Sequence, residues 1–340
     1  MRNETRLKYT AFAAAVAQLS GVANAAEKFT VAPSVQQKLE TRLQASSEFL
    51  KRINIVPVDE QQGEKLGLGT TGTIAGTTDT TQKDRTPTDP TDLVDNKYHC
   101  QQINFDTALR YAKLDMWAKF PDFQTRVRDA IIKQQARDRI MIGFNGTSRA
   151  ATSNRATNPK LQDVAVGWLQ KYRTNAPDRV MDEGATAGEI RVGTAAGNDF
   201  KNLDALVMDA VNNLVDEVYA DDPELVVICG RGLLADKYFP MVNRDQDPSE
   251  TLAADVVISQ KRMGGLQAIQ VPSFPANALM VTRLDNLSIY YQGGARRRAV
   301  IDNPKRDQVE NYESSNDDYV VEDYRAGCLI ENIKTEWAAA

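Results

Sequence analysis

Apolar residues recur at helical spacing in two segments near the N-terminus. The first predicts a helix that Gly21 ends, because glycine readily adopts the left-handed conformation of a helix exit. The second predicts a helix that begins at Ser34 and runs towards Ile53. Between them, residues 24–33 are expected to form an exposed linker that a protease could reach. The supporting apolar positions are Leu7, Ala11, Ala14, Ala15, Leu19, Val35, Leu39, Leu43, Phe49 and Leu50.

A longer helix is predicted from Pro121 to Phe144. Proline suits the first helical turn, where its missing N–H costs nothing, and Asn145-Gly146 suits the exit. At 1.5 Å per residue this helix would extend roughly 36 Å, about the width of a domain. Its apolar stripe is interrupted in the middle by Gln134, Gln135, Arg137 and Asp138. Such a helix is more typical of a spine that crosses a flat subunit than of a globular core.

Strand-like segments dominate the second half of the chain. Two further helices are indicated, over residues 161–172 and 203–214. Short apolar runs rich in β-branched residues predict strands at residues 225–229, 256–258, 268–271, 278–282, 287–291, 319–321 and 329–333. The pattern therefore indicates a fold that mixes helices and sheets, and no internal repeat is visible.

A segment rich in glycine and threonine stands apart from the rest of the chain. Its sequence is GEKLGLGTTGTIAGTTDTTQKDRTPTDPTD, and its glycines are Gly63, Gly67, Gly69, Gly72 and Gly76. Threonine favours strands and glycine loosens them, so the pattern predicts a long, weakly packed hairpin. Compact domains rarely carry so long an unpacked segment, which favours an arm whose few apolar positions another subunit covers. The alternative is a disordered surface loop.

Composition narrows the classes of function. The 340 residues are 42% hydrophobic and 26% charged, which is typical of a globular protein, and no apolar run reaches the length of a membrane-spanning helix. The formal charge of −5 argues against tight non-specific binding of nucleic acid. Three distant cysteines, Cys100, Cys229 and Cys328, make a disulfide framework improbable. Only one histidine is present, His99, so a histidine-rich metal site is excluded.

The first residues also carry some features of a secretory leader. Basic residues precede an alanine-rich stretch, and Ala23-Asn24-Ala25 has the small-residue spacing of a leader cleavage site. Against this interpretation, Glu4 lies in the basic region, and Thr10 and Gln18 interrupt the apolar stretch. An amphipathic helix accounts for the segment as well as a leader does. A secreted or periplasmic structural or binding protein, cut after Ala25, is therefore one alternative function.

The most enzyme-like motif is Gly230-Arg231-Gly232, which follows the apolar strand LVVIC. In a dinucleotide-binding fold such glycines let backbone N–H groups and a helix N-terminus hold a pyrophosphate. Here the following helix is expected to run only to Phe239 before Pro240, which is short for that fold. A nucleotide-binding oxidoreductase that uses this turn remains a second, weaker alternative to a plain strand-to-helix turn.

Other candidate chemistry is weaker still. His99 and Cys100 are adjacent on a predicted strand, so their side chains should point to opposite faces and cannot readily pair. The segment NRDQDPSE resembles the opening of a calcium loop, but Pro248 occupies the position of the required glycine. We therefore expect no catalytic residues, no metal site and no cofactor.

Acidic residues cluster near the C-terminal end of the chain. They are Glu310, Glu313, Asp317, Asp318, Glu322 and Asp323. Two of them could in principle form a glycosidase pair. The pattern is more typical of the solvated face of a strand, or of partners for Arg296, Arg297 and Arg298 across an interface.

Many stretches along the chain resemble one family. They are MRNETRLKY, KFTVAPSV, FLKRINIVPV, GEKLGLG, LQDVAVGWLQKYR, LLADKYFPMVN, AADVVISQKR, LDNLSIYYQ and VENYESSNDDYVVEDY. In this order, and nearly to Trp337, the chain resembles the major capsid proteins of P2-like tailed bacteriophages. The resemblance implies an α+β Hong Kong 97-type capsid fold and a structural, non-enzymatic role in an icosahedral shell.

The resemblance also implies a domain organisation and a processing step. Residues 1–30 would be a scaffolding segment, 31–58 an N-terminal arm, 59–103 the extended loop, 104–199 the peripheral domain with its spine helix, 200–305 the axial domain, and 306–340 the return strands of the peripheral domain. By analogy, a phage-encoded maturation protease would cut near Phe29 and Thr30. Gly63, Gly67, Gly69, Gly72 and Gly76 would then lie in a loop between subunits.

The partners implied by the resemblance are mainly copies of the same chain, arranged as pentamers and hexamers. An internal scaffold with its maturation protease and a portal protein would join them, with room for external size-determining or decoration proteins. The shell would enclose phage double-stranded DNA without reading its sequence. Assembly would take place in the host cytoplasm.

Overall fold

The computed structural model describes residues 1–65, 69–70, 75, 77–87, 91–92, 96–117, 123–242 and 261–335. In this part of the chain the α-helices are α1 Asn3–Ser20, α2 Pro33–Ala45, α3 Tyr111–Trp117, α4 Phe123–Asn145, α5 Trp168–Asn175, α6 Leu203–Leu214, α7 Glu217–Ala220 and α8 Arg231–Val242. The strands are β1 Phe29–Thr30, β2 Asn54–Val58, β3 Gln62–Lys65, β4 Gly69–Thr70, β5 Thr91–Asp92, β6 Asn96–His99, β7 Gln101–Asn104, β8 Thr107–Arg110, β9 Val180–Met181, β10 Ile190–Val192, β11 Val226–Cys229, β12 Arg262–Met263, β13 Leu266–Gln270, β14 Leu279–Thr282, β15 Leu287–Gln292, β16 Arg297–Asn303, β17 Gln308–Val321, β18 Gly327–Ile330 and β19 Ile333–Thr335.

Both helices predicted near the N-terminus are present, but the second is shorter than expected. Helix α1 ends where expected, with Gly21 in the left-handed conformation at φ +66°. Helix α2 ends at Ala45, well before Ile53, because the Ser46 hydroxyl donates to the carbonyl oxygen of Leu43 at 2.7 Å, a local bond that competes with helix continuation. The apolar residues Phe49 and Leu50 are buried in the turns that follow.

Helix α4 matches the predicted spine, although residues 121–122 lie outside the described residues. The polar interruption in its apolar stripe has a structural cause. Gln135 and Arg139 are almost completely buried in a cluster of charged side chains, described below. Of the other interrupting residues, Gln134 and Arg137 are exposed, so the buried face of the helix is apolar with two polar residues set into its middle.

The two helices predicted over residues 161–172 and 203–214 are both present, but the first is shorter than expected. Helix α6 is confirmed, and the side chain of Asn202 caps it by accepting from the Ala205 N–H at 2.8 Å. Helix α5 begins only at Trp168, because Leu161 has φ +58° and cannot belong to a helix. Leu161 and Val164 nevertheless pack against the core from the turns that precede the helix. The strand predicted at residues 256–258 lies outside the described residues.

The larger sheet has the order β1-β16-β17-β15-β2, and β7 and β8 also pair with β17. All pairings of β17 are antiparallel, and its 14 residues make it the central strand of this sheet. Strand β2 joins β15 in parallel at one edge, whereas β1 joins β16 antiparallel at the other. The two ends of the N-terminal region, before and after α2, therefore flank a sheet built mainly from residues 287–321.

A second sheet has the order β12-β13-β11-β14-β18-β9, and a separate parallel pair joins β10 to β19. One face of this sheet buries an apolar cluster against α6, which includes Leu206, Val207 and Ala210. The predicted range 200–305 supplies strands to both sheets, since β15 and β16 belong to the larger one. The domain boundaries themselves stay predictions.

The main apolar core lies between helices α2, α4 and α5 and the two sheets. Trp168 is at its centre and is fully buried, with Phe144 and Tyr319 in edge contact at ring-centroid distances of 5.1 Å and 5.4 Å. Its indole N–H donates to the carbonyl oxygen of Ser288 at 3.0 Å, so the buried polar group is satisfied. This core fixes the spine helix against the larger sheet.

Candidate assembly elements

The N-terminal segment folds back on its own subunit. The backbone N–H of Arg2 donates to Asp115 at 2.9 Å, and Arg6 pairs with Asp302 at 3.3 Å. Tyr9 and Phe12 pack against an apolar cluster formed by Tyr111, Leu114, Val300 and Val309. Further along, Val16, Ala17, Ala25, Phe29 and Val31 form a second apolar cluster. Both ends of the segment are therefore tied to the larger sheet or to α3.

The expected exposed linker at residues 24–33 is only partly exposed, which corrects the sequence prediction. Ala25, Phe29 and Val31 are buried, whereas residues 26–28 form an exposed turn between them. The predicted processing site lies in β1, where Phe29 and Thr30 pair with Arg298 and Arg297. A protease would need β1 to leave the sheet edge, because proteases bind an extended chain whose backbone groups are free.

The glycine-rich segment begins and ends as a hairpin. Strand β3 pairs antiparallel with β6, and β4 pairs antiparallel with β5, so the two arms run side by side as predicted. The base is attached to the larger sheet, since the His99 N–H donates to Asp318 at 3.0 Å and Tyr98 contacts Tyr290 at a centroid distance of 5.3 Å. The described residues 77–87 are exposed.

Two of the five predicted loop glycines can be placed. Gly63 lies in β3 opposite Tyr98, and a Cβ atom there would come within 2.5 Å of the Tyr98 hydroxyl oxygen. Gly69 lies in β4. Gly67, Gly72 and Gly76 lie outside the described residues. At the base of the hairpin, glycine is therefore required because the Tyr98 side chain leaves no room for a Cβ atom, whereas the sequence predicted only a weakly packed hairpin.

Five ionisable side chains form a buried cluster that joins α2, α4 and the larger sheet, which we call the arm–spine cluster. Its members are Glu40, Arg139, Arg296, Glu313 and Asp317, and each has less than 9% of its surface exposed. Glu40 of α2 accepts from both guanidinium groups, from Arg296 Nη1 at 2.7 Å and from Arg139 Nη2 at 3.2 Å. The arm helix is thus held to the spine helix through one carboxylate.

The rest of the arm–spine cluster is fully hydrogen-bonded. Arg296 donates to Glu313 through Nε at 2.9 Å and contacts it through Nη2 at 2.7 Å. The Gln135 amide joins the two, accepting from Arg296 at 3.0 Å and donating to Glu313 at 3.0 Å. Ser315 donates to Asp317 at 2.5 Å. Burial of charge is tolerated here because each charged group has opposite charges and hydrogen bonds around it.

The arm–spine cluster holds two guanidinium groups and three carboxyl groups, so one acid is in excess. Burial raises the pKa of Asp317 above its ordinary value, opposed by Arg139 and reinforced by Glu40. Burial also opposes the ionisation of Glu313, but Arg296 and Arg298 outweigh it and hold its pKa below the ordinary value. The burial of Arg139 is likewise outweighed by Asp317 and Glu40, which raise its pKa.

This cluster corrects the prediction for the acidic run. The sequence favoured a solvated strand face or a partner across an interface, yet Glu310, Glu313, Asp317 and Asp318 are all buried or nearly so. Of the basic triplet, Arg296 is fully buried within the subunit, whereas Arg297 is exposed. Sequence analysis did not identify Glu40 or Arg139, because their partners lie at least 99 positions away along the chain.

The cysteines and the histidine form no reactive pair. Cys100, Cys229 and Cys328 are free and buried. Burial, with a smaller contribution from Asp318, raises the pKa of Cys100 to about 12, and burial raises that of Cys328 to about 12 and that of Cys229 to about 11. Such thiols stay protonated and weakly nucleophilic. His99 contributes its backbone to the hairpin base.

The glycine motif forms a strand-to-helix turn, as the plain interpretation predicted. Strand β11 leads through Gly230 into α8, which extends through Pro240 to Val242 and is thus longer than expected. A Cβ atom at Gly232 would meet nothing within 4 Å, so only Gly230, 3.3 Å from the Pro275 carbonyl oxygen, lies in a tight place. Glycine here serves packing of the turn.

Two further sequence expectations concern metals and membranes. Among the described residues no group of three or more potential metal ligands comes together, and the segment NRDQDPSE lies outside them. The search of the same residues for a helix long and apolar enough to cross a membrane finds none.

The chain is similar to phage capsid proteins over almost its whole length. Residues 8–333 match the family described as "Phage major capsid protein, P2 family". The capsid protein of Escherichia phage P2 is 60% identical over 98% of this chain and 96% of its own length. The major capsid protein of Serratia phage KSP20 is 40% identical over 98% of this chain and 97% of its own.

Solved structures agree with these relatives. A chain of the satellite phage P4 procapsid that includes size determination (Sid) protein is 56% identical, with a TM-score of 0.83 over 99% of both chains. A capsid chain of an empty GTA particle has a TM-score of 0.51 at 15% identity over 85% of this chain, which shows a shared fold.

These similarities confirm the α+β Hong Kong 97-type capsid fold and a structural, non-enzymatic role as a component of the virion. They support neither the secreted-protein alternative nor the oxidoreductase alternative, because the relatives that match from end to end are capsid proteins. By its full-length sequence and its fold, the chain belongs to the P2 family of phage major capsid proteins.

Proposed function

We propose that this major capsid protein forms pentamers and hexamers of identical subunits that close into an icosahedral shell around phage double-stranded DNA. The observation that carries this proposal is the near-complete match to a chain of the assembled P4 procapsid. One subunit surface must serve both five-fold and six-fold environments, so parts of the chain must adapt while the core stays fixed. The net charge of −5 suits a container that does not bind its DNA tightly or by sequence.

The extended loop, residues 59–103, is proposed to lie over a neighbouring subunit. Its base is rigid, because Tyr98, His99 and Cys100 are bonded or packed to the larger sheet or to residue 61. Beyond the base, residues 77–87 are exposed and contribute no side chain to the apolar clusters of the subunit. A stiff base with an uncovered outer part is what an inter-subunit contact of this kind requires.

The remaining domains follow the proposed capsid organisation. Residues 31–58 form the N-terminal arm, and the arm–spine cluster attaches its helix to α4. Residues 104–199 and 306–340 form the peripheral domain around the spine, and 200–305 the axial domain. Strands β15 and β16 connect the axial range to the larger sheet, which would couple the two domains mechanically.

Residues 1–30 are proposed to act as a scaffolding segment that a maturation protease removes by cutting near Phe29 and Thr30. The exposed turn at 26–28 adjoins this point, and the two-residue strand β1 would have to leave the edge of β16 before the cut. Mass spectrometry of mature particles should show an N-terminus close to Thr30. Mature subunits that retain Met1 to Phe29 would contradict the proposal.

Other partners are proposed from the relatives. The P4 procapsid is solved with a size determination protein, and we infer that the outer surface of this shell can also accept a size-determining or decoration protein. The internal scaffold with its protease would act during assembly, and a portal protein would occupy one vertex. Co-expression with each candidate and analysis of particle size would test these partners separately.

Deletion of Gly63 to Asp89 tests the proposed assembly role of the loop. The subunit should remain soluble and folded, since those of the deleted residues that the structure describes belong to none of the main apolar clusters, but it should fail to close shells. Circular dichroism would establish folding, and negative-stain microscopy would count closed particles. Normal particles from the deletion variant would refute the inter-subunit contact.

A further inference from the structure

The N-terminal segment contacts the rest of its subunit at its start, in its middle and at its end. At the start of α1, Arg2 and Arg6 contact Asp115 and Asp302. In the middle, Phe12 packs against both N-terminal apolar clusters. At the end, the carbonyl oxygen of Ala25 accepts from the Val300 N–H at 2.8 Å, which extends the pairing of β1 along the edge of β16. A cut in the backbone near Phe29 and Thr30 lies beyond all of these residues and would remove none of these contacts.

The covalent link between this segment and the rest of the chain is a short exposed turn. Ala25 is only 2% exposed and Phe29 only 8%, while residues 26–28 between them are exposed. A local hydrogen bond supports the turn, from the Ala26 N–H to the Asn24 side-chain oxygen at 3.0 Å. The contacts that hold the segment to its subunit are therefore made by residues up to Ala25, whereas its covalent link to the rest of the chain runs through residues 26–28.

From this separation we propose that residues 1–25 stay bound to their own subunit after the backbone is cut, as a non-covalent strap over β16 and α3. The proposal rests on the processing step proposed above and adds that cleavage and release are distinct events. While the strap remains, the backbone edge of β16 and the apolar side chains of Tyr111, Leu114 and Val300 stay covered. Only release would uncover them.

The packing under the strap explains why release can follow. A groove of about 330 Å³, partly open to solvent, lies between α1 and α4. It is lined by Phe12, Ala15, Leu19, Val127 and Ile131, among others. Side chains that border this groove lack packing partners on that side, so this part of the helix contributes less than a filled interface would. The strap is thus held at its two ends and by Phe12, whereas its contact with α4 is incomplete, which suits a contact that must later open.

The test uses the full chain with a recognition sequence for a site-specific protease inserted between Ala26 and Glu27, where the turn is exposed. After cutting, size-exclusion chromatography and mass spectrometry show whether the fragment elutes with the subunit. Hydrogen exchange at the Val300 amide reports whether Ala25 still covers it. We expect co-elution and unchanged protection of Val300. A fragment that elutes alone, with loss of that protection, would overturn the proposal.

A matched pair of variants identifies the contact that retains the cut fragment on the subunit. Phe12→Ala removes a side chain that packs against both N-terminal clusters, whereas Leu7→Ala removes one that is 73% exposed on the same helix. We expect the Phe12→Ala fragment to be lost from the complex and the Leu7→Ala fragment to be retained. Equal retention of both would contradict the assigned contact.

Two features keep this result separate from the processing proposal. The cut is made by an added protease, so retention is measured whether or not the natural protease acts near Phe29. If the insertion prevents folding, exchange at Val300 in uncut chains still tests the contacts on which retention depends. Phe12→Ala should then reduce protection and Leu7→Ala should not, whereas unprotected Val300 in the unaltered chain would refute the strap.

Discussion

Arg139 on the spine helix and Asp317 on β17 form a contact that is completely shielded from solvent. Nε of Arg139 lies 3.0 Å and Nη2 lies 2.9 Å from the same carboxylate oxygen, and neither side chain has measurable exposure. Glu40 of the arm helix meets the other side of the same guanidinium group. The arm, the spine and the central strand therefore share one buried cation.

Replacement of Arg139 by methionine should destabilise the subunit strongly. The change leaves Glu40 and Asp317 buried without this cation, and removal of one partner from a buried ion pair costs about 3–5 kcal/mol. Urea unfolding of the unassembled subunit, followed by circular dichroism, measures the loss. Arg128→Met is the control, because Arg128 is on the same helix but about half exposed, and we expect a change within about 0.5 kcal/mol. Similar losses for both variants would refute a special role for Arg139.

The pH dependence of stability should separate Asp317 from the other acids. Because the folded-state pKa of Asp317 is raised, its stabilising proton is fully bound below the unfolded pKa of about 3.9 and is lost as the pH rises through the folded pKa. The free energy of unfolding of the unaltered chain, relative to Asp317→Asn, should therefore fall with rising pH. Urea unfolding at a series of pH values measures this difference, and a difference that rises with pH would contradict it.

Glu313 provides an internal control of opposite sign. Its pKa is lowered in the folded state, so its contribution is complete above the unfolded pKa of about 4.3 and is lost as the pH falls through the folded pKa. Relative to Glu313→Gln, the unaltered chain should lose stability on acidification. If the stability difference changed with pH in the same direction for Asp317→Asn and for Glu313→Gln, the opposite pKa shifts of the two carboxyl groups would be contradicted.

Local sequence patterns predicted the helices and the apolar strands better than they predicted β17. The expected strand covered only residues 319–321, whereas β17 begins at Gln308. Its acidic residues obscured the pattern because they are buried, and burial of a carboxylate depends on cations brought from elsewhere. Arg296 and Glu40, for example, are 256 positions apart. No local periodicity can contain that contact, and so the arm–spine cluster was not predictable from the residues alone.

The N-terminal segment shows a different limit. The helix and its end at Gly21 were predictable because both depend on local backbone preferences. The burial of Ala25 and Phe29 was not, because it depends on the free edge of β16, which is about 270 residues away in the sequence. The family resemblance supplied the fold and the capsid role, whereas the contacts of this segment required the structure.

The cysteines should react slowly in the folded chain. With a pKa of about 12, Cys100 and Cys328 would carry roughly three orders of magnitude fewer thiolates at pH 8 than a free cysteine with a pKa of about 8.5. Burial also limits access. Mass spectrometry after iodoacetamide treatment should show little labelling in buffer and three labels in urea. Rapid labelling of the folded chain would contradict the buried thiols.

The close approach of Gly63 and Tyr98 predicts that the hairpin base tolerates no side chain at position 63. In Gly63→Ala the new Cβ atom would lie 2.5 Å from the Tyr98 hydroxyl oxygen, and the ring cannot move freely because it packs against Tyr290. We expect a loss of about 1–3 kcal/mol, as for other overpacked sites, and fewer closed particles by negative-stain microscopy. Gly232→Ala, where the space is open, should behave as the unaltered chain does. Addition of Tyr98→Ala to Gly63→Ala should restore part of the particle yield, since it removes the clash. A double variant no better than Gly63→Ala alone would show that the glycine serves another purpose.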